Sequence, residues 1–343
     1  MRGNSARLWL LLLLLIAAAA GSLFLGRYPA PGFISPRLLA EDSLAQRLVL
    51  ELRLPRIVMG ILLGFSLGAA GTVFQMIFSN PLVEPGFLGV SQGAAFGAAL
   101  FIVAFRSGPA AAEAGALVFA LTGLDLSGLL ARLIRYGGWI LRLVLAGIAV
   151  SAIFSAGIGL LKMAADPMSQ LPDITFWLLG GLWGTRWRDV LFVAPPALAG
   201  LTMVIALRWK LNVLSLDDRV AHSLGSAPGR ERGLLLFAAT MATAAAVSAT
   251  GLVGWVGLMA PHAARRLFGS NASVSLPGSL LLGALTIIIC DDIARTALPA
   301  EIPLGILTAV IGAGAFLALM IVHRQERREI RQERKQIRQE RKG

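Results

Sequence analysis

Asp291, Asp292 and Arg295 stand together at the end of a long apolar run, and their types and spacing suit them to move or hold charge. Ionisable side chains within apolar spans are costly and commonly functional. Two chemistries fit. The carboxylates could relay protons, which would make the chain a proton-coupled secondary transporter using Asp291 and Asp292. A carboxylate three or four residues before an arginine also faces it across one helical turn, and a structural ion pair is the simpler reading. Other chemistry is poorly supplied. There are three histidines, far apart, and one cysteine, Cys290, so no intrachain disulfide and no cysteine metal cluster can form, and no metal site is expected. His262 follows Pro261, and a lone histidine there reads as packed or hydrogen-bonded. The four lysines (Lys162, Lys210, Lys335 and Lys342) all fall outside any G-x-x-x-x-G-K-[ST] loop. The chain therefore has no P-loop to cradle ATP phosphates.

The elements that must position these residues are set by composition. Of 343 residues, 56% are hydrophobic and 15% charged, against about 25% charged in soluble domains. The apolar residues come in runs such as Leu8–Leu25 and Leu191–Leu207, apolar on all sides, and a span of roughly 20 such residues crosses a bilayer. The expected class is all-α, a polytopic membrane protein of about ten helices. After Leu8–Leu25, read as a retained anchor rather than a cleaved signal, the expected spans are about Ile57–Phe78, Gly89–Phe105, Gly115–Leu130, Leu141–Met163, Leu191–Leu207, Leu234–Thr250, Val253–Ala264, Leu276–Ala294 and Ile306–Val322. The shorter piece Ile174–Leu182, ending near Trp183 and Trp187, suits an interfacial or re-entrant helix.

Net charge is +12, much of it in the tail. Residues 324–343 carry nine Lys or Arg against four Glu. The positive-inside rule and attraction to lipid headgroups account for this better than nucleic-acid binding. An even number of spans with basic ends puts both termini on the cytoplasmic side of the membrane. The chain divides into a transmembrane domain, residues 1–323, and a basic helical cytoplasmic tail, residues 324–343. The tail repeats every seven residues, with Ile330 and Ile337 one heptad apart, too few apolar positions for a coiled coil.

Three internal patterns stand out. Asn80-Pro81-Leu82-Val83-Glu84-Pro85-Gly86-Phe87-Leu88, then Gly89-Val90-Ser91, is polar and proline-broken between two spans. Irregular backbone at a membrane must be buried in protein or face water, so this is a shaped internal connection. Gly60, Gly64 and Gly68 share one helix face, and Gly93 and Gly97 repeat the spacing, a pattern of close helix packing. The longest hydrophilic stretch, about 211–233, starts a helix at Asp217-Asp218 and stops it at Gly225, before Pro228-Gly229 and a second helix. A short exposed helix is marginal alone and needs something to dock on.

These blocks together resemble one family. Arg53-Leu54-Pro55-Arg56, the stretch from Gln75 through Asn80-Pro81 to Ser91, Ser223-Leu224-Gly225, the run from Gly251 to Pro261-His262, and Ala294-Arg295-Thr296 with Glu301-Ile302-Pro303-Leu304-Gly305 occur in colinear order over roughly residues 5–323. They are similar to the permease subunits of type II ABC importers, the iron-siderophore, haem and cobalamin uptake family. Val83 and Trp255 are small departures, and the basic tail is outside the family pattern.

The resemblance implies a homodimer of ten-helix subunits that moves a metal chelate by alternating access. It implies two ATP-binding cassette subunits carrying ATP and Mg, with no cofactor or catalytic residue on this chain. Asp218, Arg219, Ser223, Leu224, Gly225 and Arg230 would couple to those ATPases. A periplasmic or lipid-anchored binding protein would deliver the chelate onto Arg53, Arg56 and Arg295, which explains a basic segment on the outer side. Gln75, Asn80, Pro81, Pro85, Gly89, Ser91 and Pro261 would shape the pathway.

Overall fold

The computed structural model describes residues 2–28, 32–106 and 108–318, so the basic tail and the end of the tenth expected span lie outside the described residues. Helix α1 (Arg2–Phe24) is followed by a two-residue strand pairing, Leu25–Gly26 with Gly32–Phe33. Next come α2 (Pro36–Glu41) and α3 (Ser43–Arg47), the latter capped by Asp42, whose carboxylate accepts from the Leu44 N–H at 2.8 Å. A π-helical turn, Leu48–Arg53, leads without a break into α4 (Leu54–Ile77). The expected start near Ile57 is therefore too late: one apolar helix runs from Ser43 to Ile77. The wide turn lies just before Pro55, whose ring would crowd an ordinary α turn.

The remaining helices are α5 (Val90–Ala104), α6 (Pro109–Leu133), α7 (Trp139–Ala164), α8 (Gln170–Leu179), α9 (Trp187–Ala206), α10 (Arg208–Leu214), α11 (Asp218–Ser223), α12 (Pro228–Thr250), α13 (Val256–Phe268), α14 (Ala272–Thr296) and α15 (Leu304–Ala318). Among the described residues, seven are long and apolar enough to cross a membrane: α1, the helix containing α4, α6, α7, α9, α12 and α14. Of the other three expected spans, α5 and α13 are shorter helices, and the tenth is described only as far as Ala318 of α15. The all-α reading holds, and the eighth span needs correction. Residues 251–255 are not helical, and the helix that follows has 13 residues, about 20 Å, ending beyond Arg265 and Arg266. Like a short helix before it (α8, ten residues), it cannot cross the roughly 30 Å hydrocarbon core.

Helix α4 is the hub, buried against α14, α12, α13 and α9. Its glycine face lies on α14 in antiparallel order: Gly60 meets Ile287 and Ile288, Gly64 meets Gly283 and Ala284, and Gly68 meets Ser279. A Cβ at Gly64 would overlap the Ala284 backbone, so any larger residue would prise the two helices apart. Gly93 and Gly97 of α5 pack in the same way on Phe119 and Gly115 of α6.

The two ends of the bundle follow from these directions. Arg7 of α1 donates to the Leu267 carbonyl at 2.6 Å, and Asn212 donates to Asn271 at 3.1 Å. The start of α1, the end of α13, α10 and the start of α14 thus share one end, called here the N-terminal end. The segment 25–53, the end of α14 and the residues after α8 share the far end, where Arg53, Arg295 and Thr185 line one cavity.

Candidate functional site

Three polar regions lie along the bundle. At the far end, Arg53, Arg56 and Arg295 converge on a cavity of about 250 Å³. The guanidinium of Arg56 grips both oxygens of Asp291, at 2.8–3.0 Å, and Glu301 at 3.0 Å. Arg295 holds Asp292, donates to the Ser22 carbonyl and hydroxyl at 2.6 Å, and lies 3.9 Å from Asp291. Arg53 donates to the Leu23 carbonyl at 2.9 Å, and Arg27 to the Thr296 carbonyl at 3.1 Å. Arg53, Arg295 and Asp291 are buried, and Glu301, 40% exposed, is the most open member of the network, with Asp292 partly exposed. The sequence grouping of the three arginines is therefore spatially real, but their charges face inward. Asp291 and Asp292 are both held by arginines, the structural ion pairing that the simpler sequence reading expects. The i,i+3 partner of Arg295 is legible in sequence; the main partner of Asp291, Arg56, is 235 residues away. Beside this network Asp42 is held below the usual carboxylate range, chiefly by the Tyr28 hydroxyl and then by the Leu44 N–H.

The second region is the connection from Gln75 to Ser91. Gln75 is buried, donating to the Leu258 carbonyl at 3.1 Å and accepting from Arg265 at 2.5 Å, which ties α4 to α13. The Asn80 side chain accepts from the Leu82 N–H at 3.0 Å, forming an Asx turn before the chain re-enters the bundle. Pro81 is exposed, and Pro85 starts a buried 3-10 turn, Pro85–Leu88. Gly89, at φ +79°, ends that turn and lets α5 begin against Val150 of α7. Ser127 seals the turn by donating to the Leu88 carbonyl at 2.9 Å. Glu84, Pro85, Ser91 and Gln92 line a cavity of about 230 Å³ with Thr243 and Gly257. Trp255 takes φ +69°, a rare conformation for a bulky residue, just before α13 begins. Pro261 packs inside α13 against Gly71 of α4. Sequence reasoning named Gln75 but missed its partner Arg265, which reads only as one of a basic pair.

The third region is the N-terminal end, where the helix, glycine turn and second helix expected from sequence are all present. Asp217 caps α11 by accepting from the Arg219 N–H at 2.9 Å. Gly225, at φ +77°, closes it, and the Ser226 N–H reaches back to the Ala221 carbonyl at 3.1 Å. The loop is tied to the bundle from beneath. Glu231 binds Lys210 and Ser226, and Arg232 binds Asp218 at 2.7 Å and the Leu214 carbonyl at 2.9 Å. Leu216, Val220 and Leu224 project at intervals of four, 45%, 47% and 62% exposed. Arg219, Ser223 and Arg230 are exposed around them.

Glu113, buried in the second turn of α6, is a further polar residue that the sequence reading passed over. Starting the fourth span at Gly115 leaves it in a loop, yet a single Glu within an alanine run is a signal in itself.

Comparison with known proteins adds the family context. The family model described as "FecCD transport family" matches residues 10–322. The iron chelatin transport system permease protein of Helicobacter pylori is 40% identical over 281 residues, 82% of this chain and 84% of the relative. The molybdate import system permease protein of Haemophilus influenzae is 37% identical over 306 residues, 87% of this chain and 90% of the relative. A solved structure described as an inward-facing conformation of a metal-chelate type ABC transporter superposes with a TM-score of 0.85 at 36% identity, covering 92% of this chain and 99% of that one.

Proposed function

The chain belongs to the FecCD transport family, a multi-pass membrane permease, and from that premise we propose that it is the pathway subunit of an ATP-driven importer for a metal chelate. Two copies pair around a central pathway, two ATPase subunits dock at the N-terminal end, and a binding protein delivers cargo at the far end. The N-terminal end is then cytoplasmic, as its basic residues suggest. The chelate class includes iron complexes of the kind named for the Helicobacter pylori relative. An oxyanion such as molybdate is the second reading, since a relative of nearly equal similarity is named for it.

The observation that carries the proposal is the geometry of α11. A six-residue helix cannot hold itself together in water. Here it is braced by Asp218–Arg232 and by the Glu231 cluster, and Val220 on it, with Leu216 just before it and Leu224 at its C-cap, presents apolar side chains to solvent. A braced, exposed stripe suits a protein partner that pushes on it. ATP-driven closure of such partners would shift α11 and α12 together, and α12 packs on α4, α9 and α6. Delivery at the far end would use Glu301 and the exposed residues near it, with the buried arginines fixing their position.

The test is reconstitution into liposomes with the cognate ATPase and binding protein, and a panel of ferric chelates, haem, corrinoid and molybdate. ATP-dependent uptake of one metal chelate is expected. ATP-dependent uptake of molybdate alone would move the reading to an oxyanion permease, and uptake driven by a pH gradient without ATP would reject the importer.

A further inference from the structure

Glu113 is buried, 9% exposed, and makes no hydrogen bond or ion pair among the described residues. Its carboxylate lines a cavity of about 580 Å³ at the far end, walled by the start of α6, by α8 and by the start of α9. Burying a carboxylate without a partner is costly, so the partner is expected from outside the chain.

The other charged groups of the cavity do not supply it. Asp189, also buried, is matched by Arg188 at 3.0 Å, and its second oxygen accepts the Arg186 N–H at 2.9 Å. Arg186 and Asp173 are exposed. Three carboxylates and two arginines line the cavity, a surplus of one negative charge, and Glu113 is the buried carboxylate there without an ion pair. A hard metal ion is a poor match, because no group of three or more His, Cys, Asp or Glu gathers among the described residues, and such ions take about six or more oxygens. Three aromatic side chains, Phe176, Trp177 and Trp183, line the cavity among small and aliphatic residues, with the rings of Phe176 and Trp183 edge-on, 6.2 Å between centroids. A carboxylate sharing a cavity with aromatic rings suits an alkylated ammonium group.

We infer that this cavity binds a small alkylammonium ion, with Glu113 as its counter-ion and Phe176, Trp177 and Trp183 as its wall. The inference stands apart from the transport reading, since it needs neither ATPase nor cargo.

The test uses the full chain in lipid nanodiscs, titrated calorimetrically with tetramethylammonium chloride at constant ionic strength. Sodium chloride and neopentyl alcohol, a neutral molecule of similar shape, serve as controls. Saturable binding of tetramethylammonium is expected, with none for neopentyl alcohol. Glu113→Gln is expected to weaken it by about 10-fold or more. Trp183→Leu, at a partly exposed ring, is expected to weaken it by about 3-fold with Glu113 intact, and it carries the test if the first variant does not fold. Binding unchanged in Glu113→Gln, or equal binding of neopentyl alcohol, overturns the site. Binding unchanged in Trp183→Leu, or displacement by equimolar sodium, overturns the alkylammonium class.

Discussion

At the far end, Arg56, Asp291, Arg295 and Asp292 are held among themselves, with Glu301 as their outlet to solvent, whereas at the N-terminal end Leu216, Val220 and Leu224 stand out from a short helix braced from below. Both regions carry dense charge, yet the charge does different things. Far-end arginines complete the interior of one subunit. N-terminal-end ion pairs hold a surface in place for something else. Where charged side chains are matched within the subunit, their loss should appear as instability. Where they only brace an exposed apolar stripe, the stripe itself should matter to function and little to folding.

The largest expected effect is on Asp291→Ala, which removes the buried partner of Arg56 and leaves it only Glu301 at the solvent edge, while Arg295 keeps Asp292. Losing one partner of a buried pair costs about 3–5 kcal/mol. Purified variant protein should unfold at a clearly lower temperature, and an unchanged melting curve would dissolve the contrast between the ends. Next is Leu224→Asp combined with Val220→Asp. Melting should change little, while binding of the ATPase subunits falls by at least 10-fold, roughly 1.4 kcal/mol. Tight binding by this variant would remove the docking role of α11. Gly225→Val comes third: a β-branched residue at φ +77° costs roughly 1–2 kcal/mol and distorts the turn after α11. Hydrolysis by the docked ATPases should continue while uptake drops, and full uptake would show that the turn is tolerant.

Smaller effects sharpen the far end. Glu301→Gln removes a half-exposed partner of Arg56 and should cost under about 1 kcal/mol, since exposed pairs contribute little. If the binding protein docks there, its association rate should change and become less sensitive to salt, and an identical salt profile would place docking elsewhere. The smallest concerns Asp42. Its pKa is depressed in the folded chain, so its contribution is present above the unfolded value of about 4 and is lost as pH falls below it. Limited proteolysis near Tyr28 should accelerate only in that acidic range.

Much of this architecture was legible in the residues. Apolar runs located the long helices, glycine spacing located the close-packing face of α4 though not α14 as its partner, and Asp217 with Gly225 located the ends of α11. Sequence reading failed where tertiary contacts decide. Val253–Ala264 is apolar enough to resemble a span, but residues 251–255 are not helical, Trp255 takes φ +69°, and the helix starts only after it. The inward direction of Arg53 and Arg295 depends on Leu23 and Ser22 of another helix end, which no local pattern signals. Glu113 was passed over because span boundaries drawn from hydropathy trim the charged residue away.

The separation of Arg56 from Asp291 also has a consequence in time. They are 235 residues apart in the chain, and synthesis at about 5–20 residues per second takes roughly 10–50 seconds to cover that distance. Throughout that interval α4 is made and its arginine has no carboxylate from α14. The newborn helix must keep this charge at the membrane edge, and it can settle into its final depth only when α14 arrives. A chain cut short before Asp291 would therefore present an unmatched arginine at the bilayer, a mark by which cellular quality control could tell an unfinished copy from a finished one.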